Sequence, residues 1–266
     1  MTYFKGTLIL GLLALSAMPA STLAQSGKER AIQIAKKSDT SDDGFKSSVV
    51  DLQMILRNAQ GQQTKRTLQI RTLERVNGKV GDKSVLIMRT PADVKGTTFL
   101  SHAKLTKPDD QWIFLPALKR VKRIASVNKS GPFLGSEFAY EDFTSQEFGK
   151  FTYQFLRQEK CGSRICDVIE RKPLYRHSGY SKQIAWIDQK DAQFRRIEFF
   201  NRAGSRVKTL KFSDYRKYSG RFWRAHRLEM TNHRNGKFTA LVFGQFAFNR
   251  KLSSSDFVKG SLARLR

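Results

Sequence analysis

The stretch Arg89–Phe143 reads RTPADVKGTTFLSHAKLTKPDDQWIFLPALKRVKRIASVNKSGPFLGSEFAYEDF, and its punctuation decides the fold. Three apolar, β-rich runs sit in it: Thr97–Leu105, Gln111–Leu115 and Phe138–Phe143. Lys107-Pro108-Asp109-Asp110 separates the first two as a hairpin turn does. Pro116 ends the second run, because proline has no N–H for a sheet ladder. A basic run follows, Lys119-Arg120-Val121-Lys122-Arg123, and then Ser130-Gly131-Pro132-Phe133-Leu134-Gly135-Ser136. That loop sets two bulky apolar residues between glycines, where ordinary loops are polar.

The same pattern extends outward in both directions. Ser48–Arg57 alternates, with Val50, Leu52, Met54 and Leu56 on one side, the period of a strand with one buried face. Lys65–Arg75 follows with Leu68 and Ile70 inward, then a glycine-rich turn at Asn77–Asp82, then Ser84–Arg89, apolar on both faces. Beyond the opening stretch, further strands are expected at Phe151–Glu159, Arg164–Arg171, Lys182–Asp188, Phe194–Arg202, Arg206–Tyr215 and Arg221–His233. The longest is Phe238–Asn249, with Phe238 to Phe248 on one side. Glu29–Lys37 reads as a short helix. Ser255–Leu265 reads as another, capped by Ser255 or Asp256, with Val258, Leu262 and Leu265 on its apolar side. Roughly ten or eleven strands with a helix near each end indicate a mainly β, antiparallel fold, not a βαβ sheet. A single strongly curved sheet accommodates so many strands without a domain break. Its concave apolar face then needs a cover, for which the two end helices and the Gly131–Ser136 loop are the candidates.

Met1–Ala24 has the form of a cleaved export signal, leaving residues 25–266 as one domain. Lys5 is its single charge, Leu8–Leu15 is an apolar core, and Thr22-Leu23-Ala24 is a small-x-small cleavage site. The core is shorter than the ~20 residues that span a bilayer. An uncleaved N-terminal anchor is the other reading. With no cysteine at the site, a lipid-modified mature N-terminus is excluded, and the expected location is the periplasm. There the pair Cys161 and Cys166 is expected to form a structural disulfide across a hairpin. The chain carries 49 Lys+Arg against 23 Asp+Glu, a net +26, or +25 once Lys5 is removed. Such a surplus points to anionic partners. Export argues against nucleic acid.

Three blocks carry a family resemblance. They are Pro91-x-Asp93-Val94-Lys95-Gly96-Thr97, then Gln111–Ile124, then Phe133-Leu134-Gly135-Ser136-Glu137-Phe138 with Tyr140-Glu141-Asp142-Phe143. In this order they resemble the LolA-like family of bacterial outer-membrane lipoprotein-sorting-type proteins. The resemblance implies a half-open β-barrel with helices across its mouth and an apolar cavity for acyl chains. It implies a lipid or an acylated protein as ligand, and an inner-membrane exporter of the RND type as partner. A carrier or chaperone follows from it. An envelope interaction or sensor protein, binding a protein partner through the same fold, is the alternative.

No cofactor or metal motif is present. The histidines His102, His177, His226 and His233 have no zinc spacing, and no nucleophile elbow, P-loop or dinucleotide fingerprint occurs. Nothing in the residues supports an enzyme. The carboxylates Glu137, Glu141 and Asp142 are expected to pair with Lys119–Arg123 or to accept turn hydrogen bonds. The aromatics read either as ordinary core or as cavity lining. The lining candidates are Trp112, Phe114, Phe133, Leu134, Phe138, Tyr140, Trp186, Phe199, Trp223 and Met230. Lys119, Arg120, Lys122 and Arg123 are the candidates for a headgroup or partner surface.

Overall fold

The computed structural model describes residue 1 and residues 20–74, 80–143 and 147–265, with the side chains of the first helix described from Ser26. Most of the expected export segment, residues 2–19, and part of the expected turn at 77–82 lie outside the described residues. Helix α1 spans Ala20–Thr40, longer than the sequence suggests at both ends. No helix among the described residues is long and apolar enough to cross a membrane.

Six strands follow in a meander: β1 Ser47–Arg57, β2 Gln63–Leu73, β3 Lys83–Thr90, β4 Thr98–His102, β5 Asp110–Leu115 and β6 Arg120–Arg123. A second meander holds β7 Phe151–Cys161, β8 Arg164–Pro173, β9 Lys182–Asp188, β10 Phe194–Phe200, β11 Arg206–Tyr218, β12 Phe222–Asn232 and β13 Phe238–Phe243. The two join where β13 pairs antiparallel with β1, and a short β14, Ala247–Phe248, adds to β1. The result is one antiparallel sheet with β6 at one edge and β7 at the other, so the barrel is half open. The chain passes from one edge to the other through residues 124–150.

Alternation along each strand sorts the side chains onto two faces. On β3, Leu86 and Met88 join one cluster and Val85 and Ile87 another, as a strand apolar on both sides requires. The first cluster is continuous around the sheet, from Phe99 on β4 through Met54, Leu241, Met230 and Phe199 to Ile169 on β8. Ala31 and Ala35 of α1 pack into it, so this is the enclosed face. The Cys161–Cys166 disulfide forms across the β7–β8 hairpin, with Cα atoms 5.9 Å apart, and lies on the outer face with Val168, Ile184 and Trp186.

Three sequence expectations differ from the structure. Ser255–Leu265 is not an α-helix over the mouth. It forms two 3-10 turns, Ser254–Phe257 and Lys259–Ser261, packed on the outer face, where Phe257, Leu262 and Leu265 cover Val85, Ile87 and Leu100. Ser261 Oγ donates back to the carbonyls of Asp256 and Val258, a local alternative to helical bonding. Phe138–Phe143 is not a strand. Only Ala139 makes a bridge, to Pro132, and a 3-10 turn covers Tyr140–Phe143. The Asp142 carboxylate accepts from the Ala139 N–H and holds the chain in that turn. The long run Phe238–Asn249 breaks after Phe243. The Gly244 N–H donates to the Asp51 carbonyl at 2.8 Å, an approach that leaves no room for a Cβ. The break changes the face, bringing Phe246 beside Phe243.

Candidate functional site

The crossing segment 124–150 does not run around the outside. Its Phe133–Phe143 part lies across the enclosed face. Phe133 is fully buried, its ring 5.3 Å from Phe99, 5.4 Å from Tyr140 and 4.5 Å from Phe143. Phe138 completes the group, 5.6 Å from Phe143. Leu134 and Gly135 both adopt left-handed backbone, at φ 47° and 77°. For a leucine that conformation costs roughly 1–2 kcal/mol, so packing and hydrogen bonds must hold it.

Those hydrogen bonds reach strands on both sides of the mouth. Arg66 on β2 donates to the Leu134 carbonyl at 2.6 Å. Opposite, Lys208 on β11 donates to the Glu137 carbonyl at 2.7 Å, and Asn232 on β12 to the Glu137 carboxylate at 2.6 Å. The Glu137 N–H donates to Thr239 Oγ1 at 3.0 Å on β13. The plug therefore has an apolar body and polar ties.

Further along it, Glu141 accepts from Tyr175, from Ser178 Oγ and from the Gly179 N–H, and Asp142 accepts from the Tyr180 hydroxyl. Burial pushes both carboxyls above the usual carboxylate range, and the Asp142 charge adds to the effect on Glu141. The carboxylates thus accept turn and hydroxyl hydrogen bonds; those described here do not come from Lys119–Arg123. At the far end Lys150 forms a buried ion pair with Asp109 at 2.5 Å, and Lys129 donates to the Asp109 carbonyl.

Two cavities open onto this enclosed region and a larger cleft lies at its rim. A cleft of about 1100 Å³ lies between the end of α1, the 147–149 turn and the 249–252 segment, with Leu73, Leu105, Phe148 and Leu252 in its walls. Beneath α1, a cavity of about 280 Å³ is bounded by Tyr153, Ile169, Ile187, Phe194 and Arg171. Another of about 260 Å³ lies beside Phe99 and Phe143 and reaches Asp109 and Asp142. The interior is thus mixed, with apolar walls interrupted by buried charge.

Of the residues singled out from the sequence, Phe133, Leu134, Phe138, Tyr140, Phe199 and Met230 come together on the enclosed face. The three tryptophans and Phe114 do not. Trp112 and Phe114 pack outside against the C-terminal turns. Trp186 packs outside by the disulfide, between the guanidinium groups of Arg157 and Arg196, with its indole N–H donating to Glu159. Trp223 alternates to the face opposite Met230, with Lys217 over its ring at 5.6 Å. An indole needs a partner for its N–H, and the half-wet outer face supplies one for Trp186.

Lys119, Arg120, Lys122 and Arg123 lie at the β6 edge, fully exposed; Arg123 pairs with Asp110 at 2.6 Å. Leu73, Leu105, Phe148 and Arg171, which line the openings, are not among the sequence candidates. Arg171 shares the inward phase of β8 with Ile169 but also with Asp167, so its sequence pattern does not set it apart.

Three of the four histidines have hydrogen-bond partners within the chain. His102 bonds the Phe257 carbonyl, His226 bonds Tyr218 and the Phe243 carbonyl, and His233 bonds Thr209.

This architecture recurs in solved structures. A protein from Vibrio parahaemolyticus, whose structure bears the name of an outer membrane lipoprotein-sorting protein domain, is 43% identical. It superposes with a TM-score of 0.86, over 89% of this chain and 100% of the other.

The chain belongs to the LolA-like family.

Within that family a model described only as an uncharacterized protein matches residues 81–264. Two more distant structures share the fold. A DUF1329 family protein from Desulfovibrio piger is 24% identical with a TM-score of 0.83, covering 89% of this chain and 99% of that one. LolA superfamily protein NE2245 from Nitrosomonas europaea is 22% identical with a TM-score of 0.69, covering 86% and 98%. No curated protein matches the chain by sequence. This LolA-like chain therefore has a carrier-type fold, a half-open barrel whose enclosed face is occupied by its own crossing segment.

Proposed function

We propose that this LolA-like protein is an exported periplasmic carrier or chaperone that takes the acyl chains of a lipid or an acylated protein onto the enclosed face of the half-barrel. The observation that carries the reading is the plug. Its aromatic body covers the inner apolar surface, and polar bonds that water can replace tie it to β2, β11, β12 and β13. An acyl chain gains about 0.8 kcal/mol for each CH₂ buried, enough over a long chain to compete with such a segment. The ligand displaces the plug, and the returning plug releases the ligand. Release favours handover to a second component, for which the family resemblance suggests an inner-membrane exporter of the RND type.

The β6 edge is the contact we assign to an anionic membrane surface or an acidic partner. It is fully exposed, basic, and flanked by the exposed apolar side chains of Leu118, Val121 and Val127. The same open edge supports a second reading, in which the protein binds a strand of a protein partner by β-augmentation and carries nothing.

Native mass spectrometry of the protein purified from a periplasm, with organic extraction of what it holds, separates the two. A stoichiometric amphiphile supports the carrier. A protein that is empty, and stays empty after exposure to envelope lipids, leaves the interaction protein.

A further inference from the structure

Arg171 is 3% exposed and points from β8 into the cavity beneath α1. Its guanidinium lies over the rings of Phe151 and Phe194, 4.8 Å and 5.0 Å from their centroids. Its Nε has no hydrogen-bond partner, and no carboxylate among the described residues forms an ion pair with it. Asp142 acts on it only through space, and burial pulls its pKa down to about 10, which leaves it a cation at neutral pH.

A buried guanidinium is costly unless charge and hydrogen bonds are returned to it. Stacking on two rings returns part. The rest is open, and so is its neighbour. Gln183 sits opposite Arg171 in the β8–β9 ladder, is 4% exposed, and has an unpartnered Oε1. Of the two residues, Arg171 lines the cavity beneath α1 and Gln183 packs behind it in the sheet.

The facing wall of the cavity comes from the end of α1 and the turn after it, and carries Asp39, Asp43 and Asp42, the last paired with Arg224; Asp82 and Glu147 add to the acidic lining. A purely anionic group entering toward Arg171 passes that wall against repulsion. A group that carries an ammonium close to its anion does not.

We propose that this cavity is the headgroup pocket of the amphiphile carried on the enclosed face, and that the headgroup is zwitterionic. Its phosphate or carboxylate lies on the Arg171 guanidinium, and its ammonium faces the acidic wall. This rests on the carrier reading above and names the class of cargo.

The test uses the delipidated protein, exposed to phosphatidylcholine vesicles doped equally with phosphatidylethanolamine and phosphatidylglycerol. Native mass spectrometry reads the bound lipid. Wild type should hold phosphatidylethanolamine over phosphatidylglycerol by at least tenfold. Arg171→Met should lower its uptake at least tenfold, while leaving the melting temperature of the empty protein equal or higher, because the variant removes an unpaired buried charge. Asp42→Asn combined with Asp43→Asn should abolish the preference, and it carries the comparison if Arg171→Met does not fold. Soluble phosphoethanolamine and β-alanine then read the pocket without an acyl chain. Whichever matches the native anion should raise the wild-type melting temperature and leave that of Arg171→Met unmoved.

Uptake that Arg171→Met leaves intact, a lower melting temperature for the empty variant, or a preference for phosphatidylglycerol would each overturn the pocket while the carrier stands. If wild type takes up no lipid but phosphoethanolamine or β-alanine stabilises it, the carrier reading fails and the pocket survives. If neither lipid nor soluble headgroup acts on wild type, both fail.

Discussion

Phe133→Ala tests the plug directly, because it acts on two quantities in opposite directions. Phe133 is fully buried at the centre of a ring cluster formed with Phe99, Tyr140 and Phe143. Truncating a buried phenylalanine removes its transfer free energy and leaves a cavity, costing about 3–5 kcal/mol. In a domain of this size each kcal/mol lowers the melting temperature by roughly 2–4 °C, so a fall of about 6–20 °C is expected.

The same loss weakens the closed plug against the displaced one. If an acyl chain binds only where the plug has left, apparent affinity rises as the closed state is destabilised. Each 1.4 kcal/mol is worth about tenfold, so the gain reaches up to about two or three orders of magnitude. Scanning calorimetry gives the first number and titration with a fluorescent fatty acid gives the second. A lower melting temperature with unchanged or weaker binding would refute the displacement argument. A change under about 2 °C would refute the packing on which both rest.

Three further outcomes are expected. Cys161→Ser opens a loop of sequence separation 5; the chain-entropy rule gives a loss of about 2 kcal/mol, seen as a lower melting temperature with an unchanged circular dichroism spectrum. Leu262→Ala, on the outer face, should cost about 2–5 kcal/mol and leave lipid uptake per folded molecule unaltered; altered uptake would tie the C-terminal turns to the site. Asp142→Asn should stabilise the protein increasingly as pH rises. Burial sets the folded pKa of Asp142 above its unfolded value, so the native state binds more protons between the two and stability is lost as pH climbs through that window. Melting curves from pH 4 to 8 should therefore diverge upward for the variant, and parallel curves would mean that Asp142 is not held this way.

Most of the sheet was legible because period-2 alternation depends only on which face is buried. Val50 to Leu56 on β1 and Leu68 and Ile70 on β2 point where alternation sends them. Alternation does not say which of two buried faces is enclosed. On β5 the inward residues are Gln111 and Ile113, and on β9 they are Gln183, Ala185 and Ile187. The larger aromatics on both strands went outside, to pack under the C-terminal turns or beside the disulfide. Size was therefore a poor guide to the cavity. The plug was partly visible as an apolar pair between glycines, but its path was not. It is held by Glu141 to Gly179, Asp142 to Tyr180 and Lys150 to Asp109, partners that lie tens of residues apart in sequence.

The topology makes the plug more than an accident of packing. An open sheet of two meanders joined at β1 and β13 has its edges at β6 and β7, and the chain must connect them. A connection around the outside would leave the enclosed face bare and aggregation-prone. One across the inside covers it at once, and the residues doing so need to be apolar. The two edges are managed separately: α1 packs along β7, and β6 carries Arg120, Lys122 and Arg123, charges that discourage pairing with the same edge of a second copy. Nothing covalent fixes the crossing segment between Arg123 and Phe151. Among the described residues its ties include ring packing, hydrogen bonds and the buried ion pair Lys150–Asp109, close to where β7 begins. On the displacement reading proposed above, that end is the natural hinge and the Phe133–Phe138 tip is the part expected to move. Replacing Asn232 with alanine, which removes one tip contact and no core packing, should raise lipid uptake with little change in melting temperature; Lys150→Met should instead unfold the hinge and lower both.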